Sequence, residues 1–165
     1  MRRSTPIILR IVSLGLAAAL FGAAAARAED YPGFAWIAGG DEGNAYLTYG
    51  STETGEDYLF NVFCGADKSS NMTVYVDIAG TKVGDPVSID LSAGDARLEV
   101  PGKIGTDEMS GFLFAEAQDV EIKPVVQLLA AEGPIIVKTG SVETTLPADG
   151  RAEATAEFAK SCPLD

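Results

Sequence analysis

Apolar and polar residues alternate along most of this chain, in short runs separated by glycine-rich or acidic turns. The cleanest alternation lies in residues 71–78, whose inward positions are Met72, Val74, Val76 and Ile78. A period of two is typical of a strand with one covered face and one exposed face. Because the turns between such runs are short, neighbouring strands are expected to be antiparallel. The pattern predicts a mainly β (α+β) fold, an antiparallel sandwich or barrel-like meander of about seven to nine strands.

The densest aromatic and β-branched run is residues 58–64. One face of this run carries Tyr58, Phe60, Val62 and Cys64. The other face is also largely apolar, which is typical of a strand covered on both sides. We therefore predict that residues 58–64 form a central strand.

Two hairpins are predicted further along the chain. The first pairs residues 87–91 with residues 96–100, and Pro101 is expected to close its second strand. The second hairpin spans residues 135–146 around a Gly-Ser turn. A further strand is expected over residues 111–117.

The hydrophobic period becomes helical at two places. Apolar residues follow Pro124 at helical spacing, which predicts a short helix near residues 124–131. Near the C-terminus, Ala154, Phe158 and Cys162 fall on one face of a second helix near residues 150–161. Asp149 is its predicted N-cap. The narrow apolar stripe implies that this helix docks on the sheet.

Residues 1–28 have the pattern of a cleaved secretory signal peptide. Basic residues come first, an apolar core follows over residues 11–21, and Ala26-Arg27-Ala28 matches the A-x-A cleavage pattern. The core is shorter than the ~20 apolar residues of a membrane span. Residues 29–165 are then expected to form a single β-rich domain. The alanine-rich segment favours a bacterial periplasm, with secretion outside the cell as the alternative.

Charge narrows the choice of partners. The whole sequence has a net charge of −12. Residues 1–28 contain four of the 12 cationic residues and no acid, so eight cations remain against 24 acids, a net charge of −16. Such a surface repels nucleic acid and anionic lipid headgroups, whereas basic proteins and divalent cations are compatible partners. After removal of the signal peptide, no apolar run is long enough for membrane insertion.

Two cysteines in an exported chain predict one disulfide, between Cys64 and Cys162. Two free thiols, or a bridge to another chain, are the alternatives. The two cysteines do not form a C-x-x-C pair, which argues against a thioredoxin-like redox role.

The chemistry expected of an enzyme is largely missing from the sequence. There is no histidine, which excludes Ser-His and Cys-His nucleophilic systems and His-ligated zinc. No phosphate-binding glycine motif occurs, and no cofactor is predicted. An acid-based hydrolase is the remaining enzymatic alternative, with Asp77 and Asp90 as a conceivable pair.

Two acidic loops, residues 41–44 and 53–57, offer oxygen ligands that suit calcium. The acids and amides concerned are Asp41, Glu42, Asn44, Glu53, Glu56 and Asp57. Neither loop has the EF-hand spacing, and no metal site is assigned.

Aromatic residues are the candidates for a binding surface, because Tyr and Trp are favoured anchors in protein interfaces. Trp36 and Tyr75 are candidate partner-binding residues of this kind. The run Ser110-Gly111-Phe112-Leu113-Phe114 resembles the S-G-x-x-Y loop of periplasmic inhibitors of C-type lysozyme, with Phe114 in place of Tyr. That resemblance implies a small, disulfide-bridged β-barrel whose Ser110, Gly111 and Phe114 contact a basic enzyme.

Together these features predict a non-catalytic periplasmic accessory or binding protein with an acidic surface. Its partner is expected to be a basic periplasmic or host protein. An inhibitor of a basic enzyme, as the lysozyme-inhibitor resemblance implies, is the more specific alternative.

Overall fold

The structure is a computed structural model that describes residues 31–41, 43–55, 57–76, 78 and 80–162. The predicted signal peptide lies outside the described residues. So do Glu42 and Glu56 of the two acidic loops, and Asp77 of the conceivable acid pair.

Nine strands in the described part of the chain form one antiparallel sheet in the order β1-β2-β3-β4-β7-β6-β5-β8-β9. The strands are β1 Phe34–Asp41, β2 Asn44–Ser51, β3 Tyr58–Cys64, β4 Ser70–Val74, β5 Pro86–Ala93, β6 Ala96–Thr106, β7 Leu113–Gln118, β8 Ile135–Thr139 and β9 Val142–Leu146. The two helices are α1 Ile122–Leu129 and α2 Arg151–Ser161. The sheet curls into a half-barrel, which confirms the predicted mainly β fold with two helices.

The core fills the concave side of the half-barrel. Inward side chains such as Phe60, Met72 and Ile89 are fully buried there. Helix α1 contacts β5 and β6, and α2 contacts β1, β2 and α1, so the two helices cover the inner face. No helix in the described residues has the length and apolar character needed to cross a membrane.

Helix α2 docks as its apolar stripe predicts. Ala154, Phe158 and Cys162 are all buried in the core. The predicted disulfide is present, and its two Cα atoms lie 5.9 Å apart. It joins the last residue of β3 to the residue that caps the C-terminus of α2.

Arg151, at the start of α2, links the two helices. Its side chain is buried, Nε donates to the carbonyl oxygen of Leu129 over 2.8 Å, and Nη2 donates to that of Ala131. A cation at the C-terminal end of α1 also complements the negative end of that helix dipole. The N-cap of α2 is Gly150, with φ of 72°, and its cap has no side-chain hydrogen bond, so the prediction that Asp149 caps the helix is wrong.

Strand β6 continues through Pro101 to Thr106, so the prediction that Pro101 ends the strand is also wrong. Pro101 pairs with Ser88 of β5, but β7 begins to pair with β6 only at Lys103. On this stretch β6 has a neighbour on one side only, where a residue without an N–H costs no ladder hydrogen bond.

Candidate binding surface

Four aromatic side chains cluster on the outer face of the sheet, where β3, β4 and β7 lie side by side. We call this cluster the aromatic surface; it consists of Tyr58, Tyr75, Phe112 and Phe114. Val74 and Ala115 are buried, so their chain neighbours Tyr75 and Phe114 project to the opposite face. The sequence predicts Tyr75 and Phe114 as separate partner-binding residues, and the structure brings them together.

The rings contact one another through faces and edges. Tyr75 stacks on Phe114, with ring centroids 4.7 Å apart and planes inclined by 28°. Tyr75 also stacks on Phe112, at 6.0 Å and 13°. Tyr58 meets Tyr75 edge to face at 4.7 Å. Such pairs contribute about 0.5–1.5 kcal/mol each beyond their buried area, so the cluster holds its own geometry.

A bulge in β3 turns Tyr58 onto this outer face. Tyr49 of β2 pairs with Phe60, but the next residue, Gly50, pairs with Tyr58, so Leu59 has no partner in β2. One extra residue reverses the alternation of side chains beyond it. The prediction that Tyr58 shares a face with Phe60 is therefore wrong.

Gly105 on β6 allows the ring of Phe114 to lie flat against the sheet. The two residues are direct cross-strand partners. A Cβ atom at position 105 would lie 2.5 Å from Cε2 of Phe114, which is too close for the ring to stay in place. The absence of a side chain at Gly105 therefore fixes how the stack sits on the sheet.

The loop formed by residues 107–112 borders the aromatic surface and is organised by one carboxylate. Oδ1 of Asp107 accepts hydrogen bonds from the backbone N–H of Met109 over 2.9 Å and of Ser110 over 2.7 Å. It also accepts one from the Ser110 hydroxyl over 2.9 Å. Two backbone hydrogen bonds between Asp107 and the residues Gly111 and Phe112 close the loop. Gly111 has φ of 71°, a conformation that suits glycine.

Ser110 and Gly111, which carry the lysozyme-inhibitor resemblance, both belong to this loop. The Ser110 oxygen donates to Asp107 and accepts from the backbone N–H of Phe112 over 3.2 Å. Its hydroxyl is therefore used to hold the loop in shape. Sequence reasoning identified these two positions and missed Phe112 and Met109.

Phe112 and Met109 are the exposed apolar side chains of the loop. Met109 is 99% exposed and Phe112 is 41% exposed. Only two other large hydrophobic side chains in the described residues are exposed, Tyr46 and Val83. Half of this exposed set thus lies in one six-residue loop beside the aromatic stack.

Charged side chains lie around the rings of the aromatic surface. Hydrogen bonds from the Ser110 backbone and side chain hold the pKa of Asp107 below its usual value, so this carboxylate is ionised. The pKa of Tyr75 is raised well above its usual value, chiefly by burial, then by the hydrogen bond with Tyr58 and by the charges of Asp107 and Glu116. The phenol therefore remains neutral. Glu116 forms an ion pair with Lys103 over 3.2 Å.

Trp36 lies away from the aromatic surface. It is only 8% exposed, and its ring packs against Tyr49 and Phe60 in the core. Its indole N–H donates to the carbonyl oxygen of Pro147 over 2.8 Å. Its cross-strand partner Tyr49 is also buried, which shows that this face of β1 turns inward. The structure therefore places Trp36 in the core, apart from the aromatic surface.

The predicted alternatives based on acids are only partly described. Asp90 has Glu99 and Lys138 as its cross-strand partners, whereas Asp77 lies outside the described residues. Within the described residues, no group of three or more metal-ligating side chains comes together. The hydrolase and calcium alternatives stay predictions.

A cavity of about 570 Å³ lies between the turn after β3 and the start of α1. The charged residues of its lining are Lys68, Glu121 and Lys123. No aromatic ring lines it, and none of its lining residues belongs to the aromatic surface.

Comparison with protein-family models, curated proteins and solved structures found no match to this chain. The fold and the surface define its class: a disulfide-linked antiparallel half-barrel with a half-buried aromatic cluster on its outer face, of which Phe112 is the exposed ring.

Proposed function

We propose that this chain is an exported, non-catalytic binding protein that holds a basic protein partner through the aromatic surface and the 107–112 loop. The observation that carries the proposal is the exposure of Phe112 and Met109 on a loop that is already ordered. Hydrogen bonds to Asp107 hold this loop, and the ring of Phe112 stacks on Tyr75. Exposed aromatic and methionine side chains are enriched at interfaces, and a loop ordered before binding loses little entropy when it binds.

Charge supports a basic partner. The chain has a net charge of −12. Among the described residues only Glu116 and Glu157 form ion pairs with lysine or arginine, so most of the acids keep an uncompensated charge. Such a surface attracts cationic proteins and accelerates their association. The Cys64–Cys162 disulfide supports export, with the periplasm as the proposed compartment.

A binding role is favoured over catalysis by the side chains available. The sequence contains no histidine, and the disulfide uses both cysteines. The usual nucleophile and base pairs therefore cannot be assembled from these residues.

The proposal is tested by measuring the affinity of the protein for a panel of basic proteins: C-type lysozyme, cytochrome c and ribonuclease A. We expect at least one to bind at low ionic strength, with an affinity that falls as salt is added. The double variant Met109→Ser, Phe112→Ser should weaken binding at least about tenfold, as loss of an interface hot spot does.

Two controls make the result specific. Val83→Ser removes an exposed apolar side chain that is not part of the aromatic surface, and it should leave the affinity unchanged. Acetylation of the bound protein's lysines removes their charge and should weaken binding. Binding to none of the panel, or equal binding by the double variant, contradicts the proposal.

Inhibition of C-type lysozyme is the second candidate function. The specific observation in its favour is that the residues resembling the inhibitor motif lie in the exposed 107–112 loop and at the start of β7. Lysozyme activity should then fall when the wild-type protein is added at micromolar concentration. Ser110→Ala should reduce the inhibition, because the Ser110 hydroxyl links Asp107 to Phe112. Unchanged lysozyme activity rules this function out.

A further inference from the structure

The aromatic surface has the chemistry to receive one particular kind of side chain. Resting on the proposed function, we infer that the partner presents an arginine, whose guanidinium lies on the exposed ring of Phe112 and pairs with the carboxylate of Asp107. The inference specifies what the partner places on this surface, beyond the partner's overall positive charge.

The ring stack offers a face to a cation. Phe112 is nearly parallel to Tyr75 and is the most exposed ring of the cluster, so it forms the open end of the stack. A guanidinium placed over an aromatic face within about 6 Å of its centre is attracted by the electron-rich ring. Arginine suits this position better than lysine, because its planar group stacks on rings and is less strongly hydrated.

Asp107 supplies the anion beside the stack. All three hydrogen bonds that the loop donates to the Asp107 side chain are accepted by Oδ1. No lysine or arginine of the described residues forms an ion pair with it, whereas Glu116 on the neighbouring strand is already paired with Lys103. The backbone N–H of Asp107 donates to the carbonyl oxygen of Phe112 over 2.9 Å, so its unpaired carboxylate lies beside the rings and is available to an external cation.

Other occupants fit less well. An acidic segment would be repelled by a chain with a net charge of −12. A purely apolar segment would bury the ionised Asp107 without a partner, which is unfavourable. A cationic, planar group satisfies both the rings and the carboxylate.

The test uses hexa-arginine as the probe, with hexa-citrulline as a neutral peptide of nearly the same shape and hexa-lysine as a non-planar cation. Each peptide is titrated into the mature protein at low ionic strength, and NMR shift changes are followed for backbone amides. Hexa-arginine should shift the amides of residues 105–114 most strongly. Hexa-lysine should bind more weakly, and hexa-citrulline should produce no measurable shift.

Two variants separate the ring from the charge. Phe112→Leu keeps an apolar side chain but removes the aromatic face, and it should weaken hexa-arginine binding about 3- to 30-fold. Asp107→Asn removes the charge but keeps the oxygen that holds the loop, and it should also weaken binding. Tyr46→Leu is the matched control, because Tyr46 is 43% exposed and Phe112 is 41% exposed. The affinity of Tyr46→Leu for hexa-arginine should stay within about twofold of the wild-type affinity.

The outcomes distinguish this inference from the proposed function. If basic proteins still need Met109 and Phe112 but Phe112→Leu binds hexa-arginine as well as wild type does, the arginine inference is wrong and the binding role stands. Equal binding of citrulline and arginine peptides, no binding of hexa-arginine, or shifts spread over the whole acidic surface would also overturn it. If no basic protein of the panel binds, the proposed function itself fails.

Discussion

A single oxygen atom, Oδ1 of Asp107, determines the shape of the loop that exposes Phe112 and Met109. Three hydrogen bonds converge on it from two residues. The sequence placed Ser110 and Gly111 in a candidate loop but gave no sign that Asp107 would organise it. Asp side chains often accept the hydrogen bonds that close a loop. Which N–H and O–H groups donate to them, however, depends on the folded backbone.

Asp107→Ala should therefore loosen the loop, whereas Asp107→Asn, which retains Oδ1, should preserve it. We expect the amide hydrogens of Met109 and Ser110 to exchange faster in Asp107→Ala than in wild type or Asp107→Asn. Hydrogen-exchange NMR measures the difference. Identical exchange rates in all three proteins would show that the loop is held by other contacts.

The same carboxylate gives the loop a pH dependence. The pKa of Asp107 is lower in the folded protein than its ordinary value of 3.8, because the charged form accepts the hydrogen bonds of Ser110 and Met109. A depressed folded pKa contributes stability that is present above the unfolded pKa and is lost as pH falls through the folded pKa. Amide protection in the loop should thus persist as pH falls past 3.8 and then decrease at lower pH to the level of Asp107→Asn, whose neutral side chain keeps the same acceptor oxygen.

Most elements were predictable because their apolar periods are local. The stripe Ala154, Phe158 and Cys162 correctly placed α2 on the sheet, and the cysteine pair followed from export and count. The β3 bulge was not predictable, because the side-chain pattern of residues 58–64 gives no sign that Leu59 interrupts the alternation. Only the register with β2 reveals that Leu59 is the extra residue.

The disulfide connects an element of the sheet to the last helix, and its removal has a defined cost. The variant Cys64→Ser, Cys162→Ser should lower the free energy of unfolding by about 2–5 kcal/mol, because the closed chain between them is long. Urea denaturation measures the change. In the isolated, unreduced wild-type protein, alkylation should label no thiol, and labelling of two thiols would contradict the bridge.

At the scale of the whole molecule, the order of the strands could not be predicted from the sequence. The β5–β6 hairpin lies between β7 and β8, so β4 pairs with β7 and β5 with β8. Local patterning identifies strands and hairpins but carries no information about which distant edges meet. The aromatic surface depends on the β4–β7 pairing. The sequence can therefore identify its residues individually but cannot show that they form one cluster.

The acidity of the whole chain should make folding and binding respond to salt in opposite directions. Repulsion among the acids destabilises the compact state, so the midpoint of thermal unfolding should rise as sodium chloride increases from about 10 to 150 mM. Over the same range the affinity for a basic partner should fall. Calorimetry and binding measurements in the same buffers test this pair of trends, and parallel trends would contradict the electrostatic account.

The bridge between Cys64 and Cys162 also makes the segment between them a closed covalent ring. The 107–112 loop lies on this ring, and Met109 at its tip is fully exposed to an attacking protease. A single cut there would leave Cys64 on one fragment and Cys162 on the other, still joined by the bridge. The nicked protein would migrate as one species until a reducing agent separated it into two, so a broken peptide bond at the binding loop would not by itself release either half of the molecule.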